Sequence, residues 1–149
     1  MLALQLNQDT VKPFMGKLLR EDIFDTFHVR SIDITTNIQI NINGQLAPEG
    51  EAKAGFTLWE SLRPLVYEII KQSPKPKQVK IVFSHPSEET IHPNAKALFL
   101  NLTYENDNVY FTTGTAQKEF TMEKSLDQAW DDWVKGFLQT AKLVVAERE

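Results

Sequence analysis

The sequence predicts an α+β fold, a mainly antiparallel sheet with three helices packed on one face. Ile38, Ile40 and Ile42 alternate with polar residues, which indicates a strand with one dry face and one wet face. Three other segments place apolar residues three and four positions apart, as amphipathic helices do. The predicted strands follow one another mostly through short turns, and such hairpins favour an antiparallel sheet over strict βαβ alternation.

The composition narrows the class of protein. The chain has 149 residues, 42% of them hydrophobic, and no cysteine, so we expect one domain over residues 1–149 with a core that needs no disulfide. The net charge of −4 argues against nucleic acid as a partner, because general nucleic-acid binding needs a basic face. No apolar run approaches the ~20 residues of a membrane span. Residues 1–6 lack the length and positive charge of a secretion signal, so we expect a cytoplasmic protein.

The first half of the chain predicts a strand, a helix and a pair of strands. Residues 1–6 are short and apolar and are interpreted as a strand, with an edge position as one option. A helix should follow, with Pro13 in its first turn, where a missing N–H group costs little. Its buried face comprises Val11, Phe14, Met15, Leu18 and Leu19. Alternation begins again after His28 and continues through the three isoleucines.

Two further helices are predicted from capping boxes, in which a hydroxyl residue and an acid or amide three residues later bond each other's backbone N–H groups. Thr57 and Glu60 form the first box, and Ser125 and Gln128 form the second. Pro64 allows two interpretations of the middle helix: either Pro64 lies inside it, or the helix begins at Ser61. The last helix should run for about twenty residues and bury apolar side chains as far as Val144. Trp130 and Trp133 should face the sheet.

The strands of the second half are predicted at residues 79–83, 97–104, 109–113 and 118–121. Residues 105–108 should form the turn of a hairpin. Gly114 and Thr115 should turn the chain again.

A series of short strings runs through most of the chain: residues 14–19, 22–27, Trp59 with Arg63 and Pro64, 80–83, 98–101, 113–115, 120–121, 124–126 and 130–131. In this order they resemble a family of small proteins from anaerobic Gram-positive bacteria that is known only as a domain of unknown function. The resemblance covers about residues 1–138. It implies a bacterial cytoplasmic protein and brings no catalytic residue with it. After the middle helix, members of that family carry Ile-Lys-Gly followed by Thr-Pro. This chain has Ile-Lys-Gln-Ser-Pro at residues 70–74, so it lacks the glycine that would indicate a tight turn there.

Two pairs of residues are candidates for binding a ligand or a partner. Trp59 and Arg63 lie one helical turn apart, so the guanidinium group could stack on the indole ring and form a shelf for a ligand. Packing of the helix on the sheet would explain the same pair. Thr113 and Thr115 flank Gly114, and a turn at this point could hold an anion through backbone N–H groups. A simple hairpin turn is the alternative.

His85 and His92 are considered as metal ligands because Glu88 and Glu89 lie between them, and imidazole and carboxylate groups bind zinc. They are weak candidates for two reasons. Both histidines precede a proline and the segment has no helical pattern, so a solvated loop is the alternative. No cofactor is expected.

Charge is unevenly distributed along the sequence. Residues 52–80 contain six basic and two acidic side chains, and residues 81–132 contain three basic and nine acidic ones. This asymmetry suits an oppositely charged partner, or a homodimer in which the two regions meet. We therefore expect a non-catalytic binding or protein-interaction domain that uses the wet sheet face or loops and binds an unknown protein or small molecule. The alternative is a small hydrolase-like enzyme with its site near residues 85–92 or near Trp59 and Arg63.

Overall fold

Seven antiparallel strands and three α-helices make up the fold of the described chain, which comprises residues 1–47, 55–72 and 75–148 of a computed structural model. The α+β prediction is thereby confirmed. The elements in chain order are β1 (Ala3–Leu6), α1 (Val11–Arg20), β2 (His28–Thr35), β3 (Gln39–Asn43), α2 (Trp59–Gln72), β4 (Gln78–Ser84), β5 (Ala95–Glu105), β6 (Asn108–Gln117), α3 (Ser125–Thr140) and β7 (Val145–Glu147).

The strands lie in the order β3-β2-β4-β5-β6-β1-β7, and each pairs antiparallel with its neighbours. β1 is paired on both sides, so it is not an edge strand. The hairpin predicted at residues 105–108 is confirmed. Asn106 and Asp107 both have positive φ, the conformation that a two-residue hairpin turn requires and that Asn and Asp tolerate.

All three helices pack on one face of the sheet. Phe14 of α1 contacts Phe111 of β6 edge-on, and Trp59 of α2 contacts Phe83 of β4 in the same way. Phe83 lies opposite Leu100 of β5, and Phe111 lies opposite Leu102 of the same strand. Leu100 and Leu102 are two residues apart and therefore share a face of the sheet, so Phe83 and Phe111 lie on that face as well. Trp130 of α3 is fully buried and Trp133 packs on the core, which confirms that this helix turns its tryptophans to the sheet.

The isoleucine prediction is only partly right. Ile40 and Ile42 pack against the core, opposite Ile34 and Ile32 of β2. Ile38 is 61% exposed, because it lies in a turn that precedes β3. The turn is closed by a hydrogen bond from the Thr36 N–H to the Ile38 carbonyl.

Neither predicted capping box forms. The Thr57 N–H donates to the Gly44 carbonyl, and the Glu60 N–H points to the Asp25 carbonyl, so both groups bond outside the helix. In α3, the N-cap is Lys124 and makes no side-chain bond, while Ser125 lies inside the helix. Helix α2 begins at Trp59 with Pro64 in its interior, so the start at Ser61 is wrong.

Several boundaries in the second half also differ from the predictions. β6 runs straight through Gly114 and Thr115, so the predicted turn is wrong. Residues 118–121 form no strand. Helix α3 ends at Thr140, and Val144 is exposed and precedes β7, a strand that the sequence pattern does not indicate. Within the described residues, no helix has the length and apolar content needed to span a membrane.

Candidate functional site

A groove between α1 and α2 is the strongest candidate for a binding site. The Trp59 indole N–H, at the start of α2, donates to the Leu18 carbonyl near the end of α1 at 3.2 Å. At the other end of the pair, Val11 of α1 and Ile70 of α2 line the same cavity. The two helices therefore run antiparallel, and the groove follows their shared length.

The floor of the groove is apolar. One cavity of about 440 Å³ lies between α1, the end of α2 and the turn between β5 and β6. An adjoining cavity of about 330 Å³ continues along the two helices. The two cavities share Met15, Leu19 and Ile70, so they form a continuous trough. Their size is in the range of small-molecule sites in proteins.

The rim of the groove is positively charged. Lys12, Arg20 and Lys71 are exposed side chains that line it, and among the described residues none of the three forms an ion pair. Lys71 lies 5.8 Å from the centre of the Tyr67 ring, a weak cation–π contact. Lysine or arginine charges without acidic neighbours attract anions.

One carboxylate lies at the opposite end, and it is already bonded. Asp107 accepts hydrogen bonds from Lys75 and from the Tyr104 hydroxyl, the latter at 3.1 Å. The Lys75 and Tyr104 bonds lower the pKa of Asp107, while burial raises the pKa of Tyr104. Asp107 therefore remains an anion that neutralises Lys75, and the unpaired positive charge lies at the Arg20 end.

Gly16 allows Arg20 to lie against α1. A Cβ atom at Gly16 would come within 2.7 Å of a terminal nitrogen of Arg20, one helical turn further along. With a side chain at this position the end of the flexible Arg20 side chain would have to shift. Glycine inside a helix costs about 1 kcal/mol relative to alanine, so the arrangement is held at some expense of helix stability.

The first pair of predicted site residues lies elsewhere and is occupied. Trp59 is fully buried beneath α1 and contacts Phe83. Arg63 donates two hydrogen bonds of 2.9 Å to Asp25, so it pairs with a carboxylate rather than with the indole ring. This bidentate bond raises the pKa of Arg63. That the pair binds a ligand stays a prediction.

The second pair joins the sheet to α3. The Thr113 hydroxyl accepts from the Leu2 N–H at 2.8 Å and donates to Asp131 at 2.6 Å. The Thr115 hydroxyl donates to Asp127, one helical turn earlier. Both threonines lie within β6, and their hydroxyl groups are engaged. Anion binding at this point likewise stays a prediction.

The two histidines proposed as metal ligands have other partners. His85 accepts a hydrogen bond from the Ser87 N–H at 3.0 Å and lies edge-on to Trp133. His92 accepts from the Asn94 N–H, and its other ring nitrogen lies 3.0 Å from the Ser125 hydroxyl. Across the described ranges, no three His, Asp or Glu side chains come together in a way that could hold a metal ion.

The sheet face opposite the helices carries mostly amide and hydroxyl side chains. Its most ordered charged group is Arg30, which bonds the Ser84 hydroxyl at 3.1 Å. The guanidinium carbon lies 3.9 Å from the centre of the Phe56 ring and 5.2 Å from that of Phe99. Burial lowers the pKa of Arg30 and nearby Glu88 raises it.

The chain matches one family model, described as a family of unknown function (DUF5721), over residues 17–146. The chain belongs to this family. The match confirms the family resemblance of the sequence, while the bacterial and anaerobic origin stays a prediction. No curated protein and no solved structure matches the chain. Membership in DUF5721 assigns no activity, so function is inferred from the geometry of the groove.

Sequence reasoning missed the groove, although two of its signals are present in the chain. The helical spacing places Met15 and Leu19 on the buried face of the first helix, and Lys71 and Lys75 belong to the basic region. What brings these residues together is the antiparallel contact of α1 with α2, which depends on tertiary packing. Gly16 is the local signal that could have directed attention to α1, because glycine is unfavourable inside a helix.

Proposed function

We propose that this DUF5721 member is a non-catalytic binding domain and that its ligand occupies the groove between α1 and α2. The observation that carries the proposal is an apolar trough whose rim bears three cations without ion-pair partners among the described residues. Apolar clefts of a few hundred cubic ångströms with a small number of polar groups are typical of ligand sites.

The groups that line the groove favour binding over catalysis. The described lining contains no histidine, serine, threonine or cysteine to serve as a base or nucleophile. Its only carboxylate, Asp107, is held by Lys75 and Tyr104. What remains is apolar surface and positive charge, which can hold a molecule but cannot readily move protons.

The hydrolase-like alternative has less support. At residues 85–92, both nitrogens of His92 have polar partners and His85 packs against two tryptophans. Near Trp59 and Arg63, the guanidinium group is bonded to Asp25 and the indole is buried. Neither place lines any of the four cavities found in the part of the chain that the structure describes.

A set of eight-carbon probes with three different headgroups tests the proposal. Octanoate, octanol and octylamine are titrated separately into uniformly ¹⁵N-labelled protein below their aggregation concentrations. We expect at least one to shift the amide signals of Met15, Leu19 and Ile70 in a saturable, one-site manner. Binding here should protect the native state, so the melting temperature should rise with probe concentration.

Two variants locate the site. Met15→Trp fills the shared floor and should abolish the shifts, whereas Leu65→Trp places the same side chain at an exposed position of α2 that lines neither cavity. Unfolding by urea confirms that both variants fold. The proposal is overturned if no probe gives saturable shifts in the groove, or if Met15→Trp and wild type bind equally.

A further inference from the structure

We infer that the ligand is a single-chain amphiphile with an oxyanion headgroup, such as a fatty-acid-like carboxylate. This inference rests on the proposed binding function and adds the chemical class and the orientation of the ligand. Its basis is the distribution of paired and unpaired charge along an apolar groove. Lys75 at one end is bonded to Asp107, whereas Lys12, which lines both cavities, and Arg20 and Lys71 of the adjoining cavity form no ion pair among the described residues.

The tail belongs in the cavity between α1 and the β5–β6 turn. Val11, Met15, Leu19, Ile70 and Pro76 supply its apolar walls. At the far end of this cavity Lys75, Tyr104 and Asp107 bond one another and so leave little for a polar ligand group to gain, while Gln8 and Lys12 line the side nearer the start of α1. Removal of an alkyl chain from water provides the driving force, roughly fourfold in affinity for each fully buried CH₂ group.

The headgroup belongs at the end formed by Lys12, Arg20 and Lys71. These side chains come from both helices and line the adjoining cavity, whose described lining contains no acidic residue. A cationic headgroup would be repelled there, and a neutral one would leave the three charges unpaired. An oxyanion can accept from the planar guanidinium group of Arg20 through two bonds, which a single ammonium group cannot match.

Gly16 lets the Arg20 guanidinium group lie close to the helix backbone. A Cβ atom at Gly16 would come within 2.7 Å of a terminal nitrogen of Arg20, so Gly16→Ala shifts the end of this flexible side chain. The substitution improves helix propensity, so the fold is kept while the position of the guanidinium group changes slightly.

Three ten-carbon probes with different headgroups test the inference by isothermal titration calorimetry: decanoate, decanol and decylamine. We expect decanoate to bind at least about tenfold more tightly than decanol, because two or three exposed charge contacts can each strengthen binding by up to about fivefold. Decylamine should bind most weakly. Raising the salt concentration should lower the affinity for decanoate and leave the affinity for decanol unchanged, because salt screens the interaction between exposed charges.

Variants assign the headgroup. Arg20→Gln should lower the affinity for decanoate severalfold, and Gly16→Ala should lower it less, because the guanidinium group is shifted but kept. Both variants should leave the affinity for decanol unaltered, since decanol does not depend on the cation. Lys17→Gln is the matched control, because Lys17 is an exposed cation of the same helix that lines neither cavity. Equal losses for decanoate and decanol would show that the variants disturb the groove as a whole and would overturn the headgroup assignment.

The remaining outcomes separate the inference from the function on which it rests. If decanol or decylamine binds the groove more tightly than decanoate, the headgroup class is wrong and the binding function stands. If none of the three binds, the binding function itself fails. Vesicles of phosphatidylcholine with phosphatidylglycerol form a final arm: binding to vesicles without binding to free decanoate would assign the anion to a membrane surface and contradict the single-molecule ligand.

Discussion

At the scale of single residues, His85 illustrates how packing sets protonation. Its ring centre lies 4.9 Å from that of Trp133 and 5.9 Å from that of Trp130, on the helix-covered side of the sheet. Burial lowers the pKa of His85 below its usual 6.5, nearby Glu88 raises it in part, and His28 lowers it. The pKa of His28 is also lowered, first by burial and then by Arg30, with Glu88 opposing.

The free energy of unfolding should therefore depend on pH in the range where histidine titrates. Between the folded and unfolded pKa values, the unfolded chain binds more protons than the folded chain, so stability is full above the unfolded value of 6.5 and is lost as pH falls through it. His85→Phe keeps an aromatic ring beside the tryptophans and removes one titrating group. Urea unfolding at several pH values should show that the free energy of unfolding falls less steeply with decreasing pH in this variant than in wild type. A slope identical to that of wild type would contradict the role of His85.

At the scale of elements, the end of α3 explains a boundary that sequence periodicity could not give. Lys142 has a φ of 61°, and the Leu143 N–H bonds back to the Leu138 carbonyl at 2.9 Å. Such a left-handed residue normally ends a helix as glycine or asparagine. Because a lysine occupies the position, the apolar spacing appeared to continue to Val144.

Relieving that left-handed conformation should stabilise the protein. Lys142→Gly is expected to raise the free energy of unfolding by about 0.5–1 kcal/mol, since an L side chain is unfavourable at this φ. Thr140→Gly is the matched control, because glycine inside the last turn of the helix should lower the free energy of unfolding by up to about 1 kcal/mol. Urea denaturation measures both. A loss of stability in both variants would show that Lys142 makes a contribution that outweighs its backbone strain.

The elements show which sequence signals are reliable. Helix faces and strand alternation reflect burial, so α1, α2, β4 and β5 were predicted close to their observed positions. Capping boxes failed at Thr57 and Ser125, because the N–H groups of Thr57 and Glu60 and the hydroxyl group of Ser125 bond residues distant in the sequence. The Gly114 turn failed because strand pairing continues through this residue: Gly114 lies opposite Phe99 in the ladder between β5 and β6.

At the scale of the whole molecule, the strand order places the most stable hydrogen bonds in the middle of the sheet. β4 and β5 are paired on both sides and carry fully buried side chains, including Ile81, Phe83, Leu100 and Leu102. β3 and the three-residue β7 form the edges. Amide exchange measured by NMR should be slowest in β4 and β5 and much faster in β3 and β7. Comparable protection in β7 and β5 would contradict this order.

The candidate site belongs to this same scale. Its apolar floor and its cations lie on α1, on α2 and on the chain leading to β4, and no local pattern specifies that the two helices lie side by side. The sequence could indicate that α1 is amphipathic and that the region after α2 is basic. It could not show that the two features meet across one trough, because their juxtaposition depends on how both helices pack over the sheet.

The packing of Trp130 on Trp133 also provides a spectroscopic signature. Their rings are stacked with centres 5.2 Å apart and planes inclined by 14°, and Phe137 continues the stack. Two indole chromophores at this separation couple electronically, and we expect the coupling to appear as paired circular dichroism bands of opposite sign. Both rings belong to α3, so these bands report the stacked side-chain arrangement that packing against the core holds in place, without any attached label.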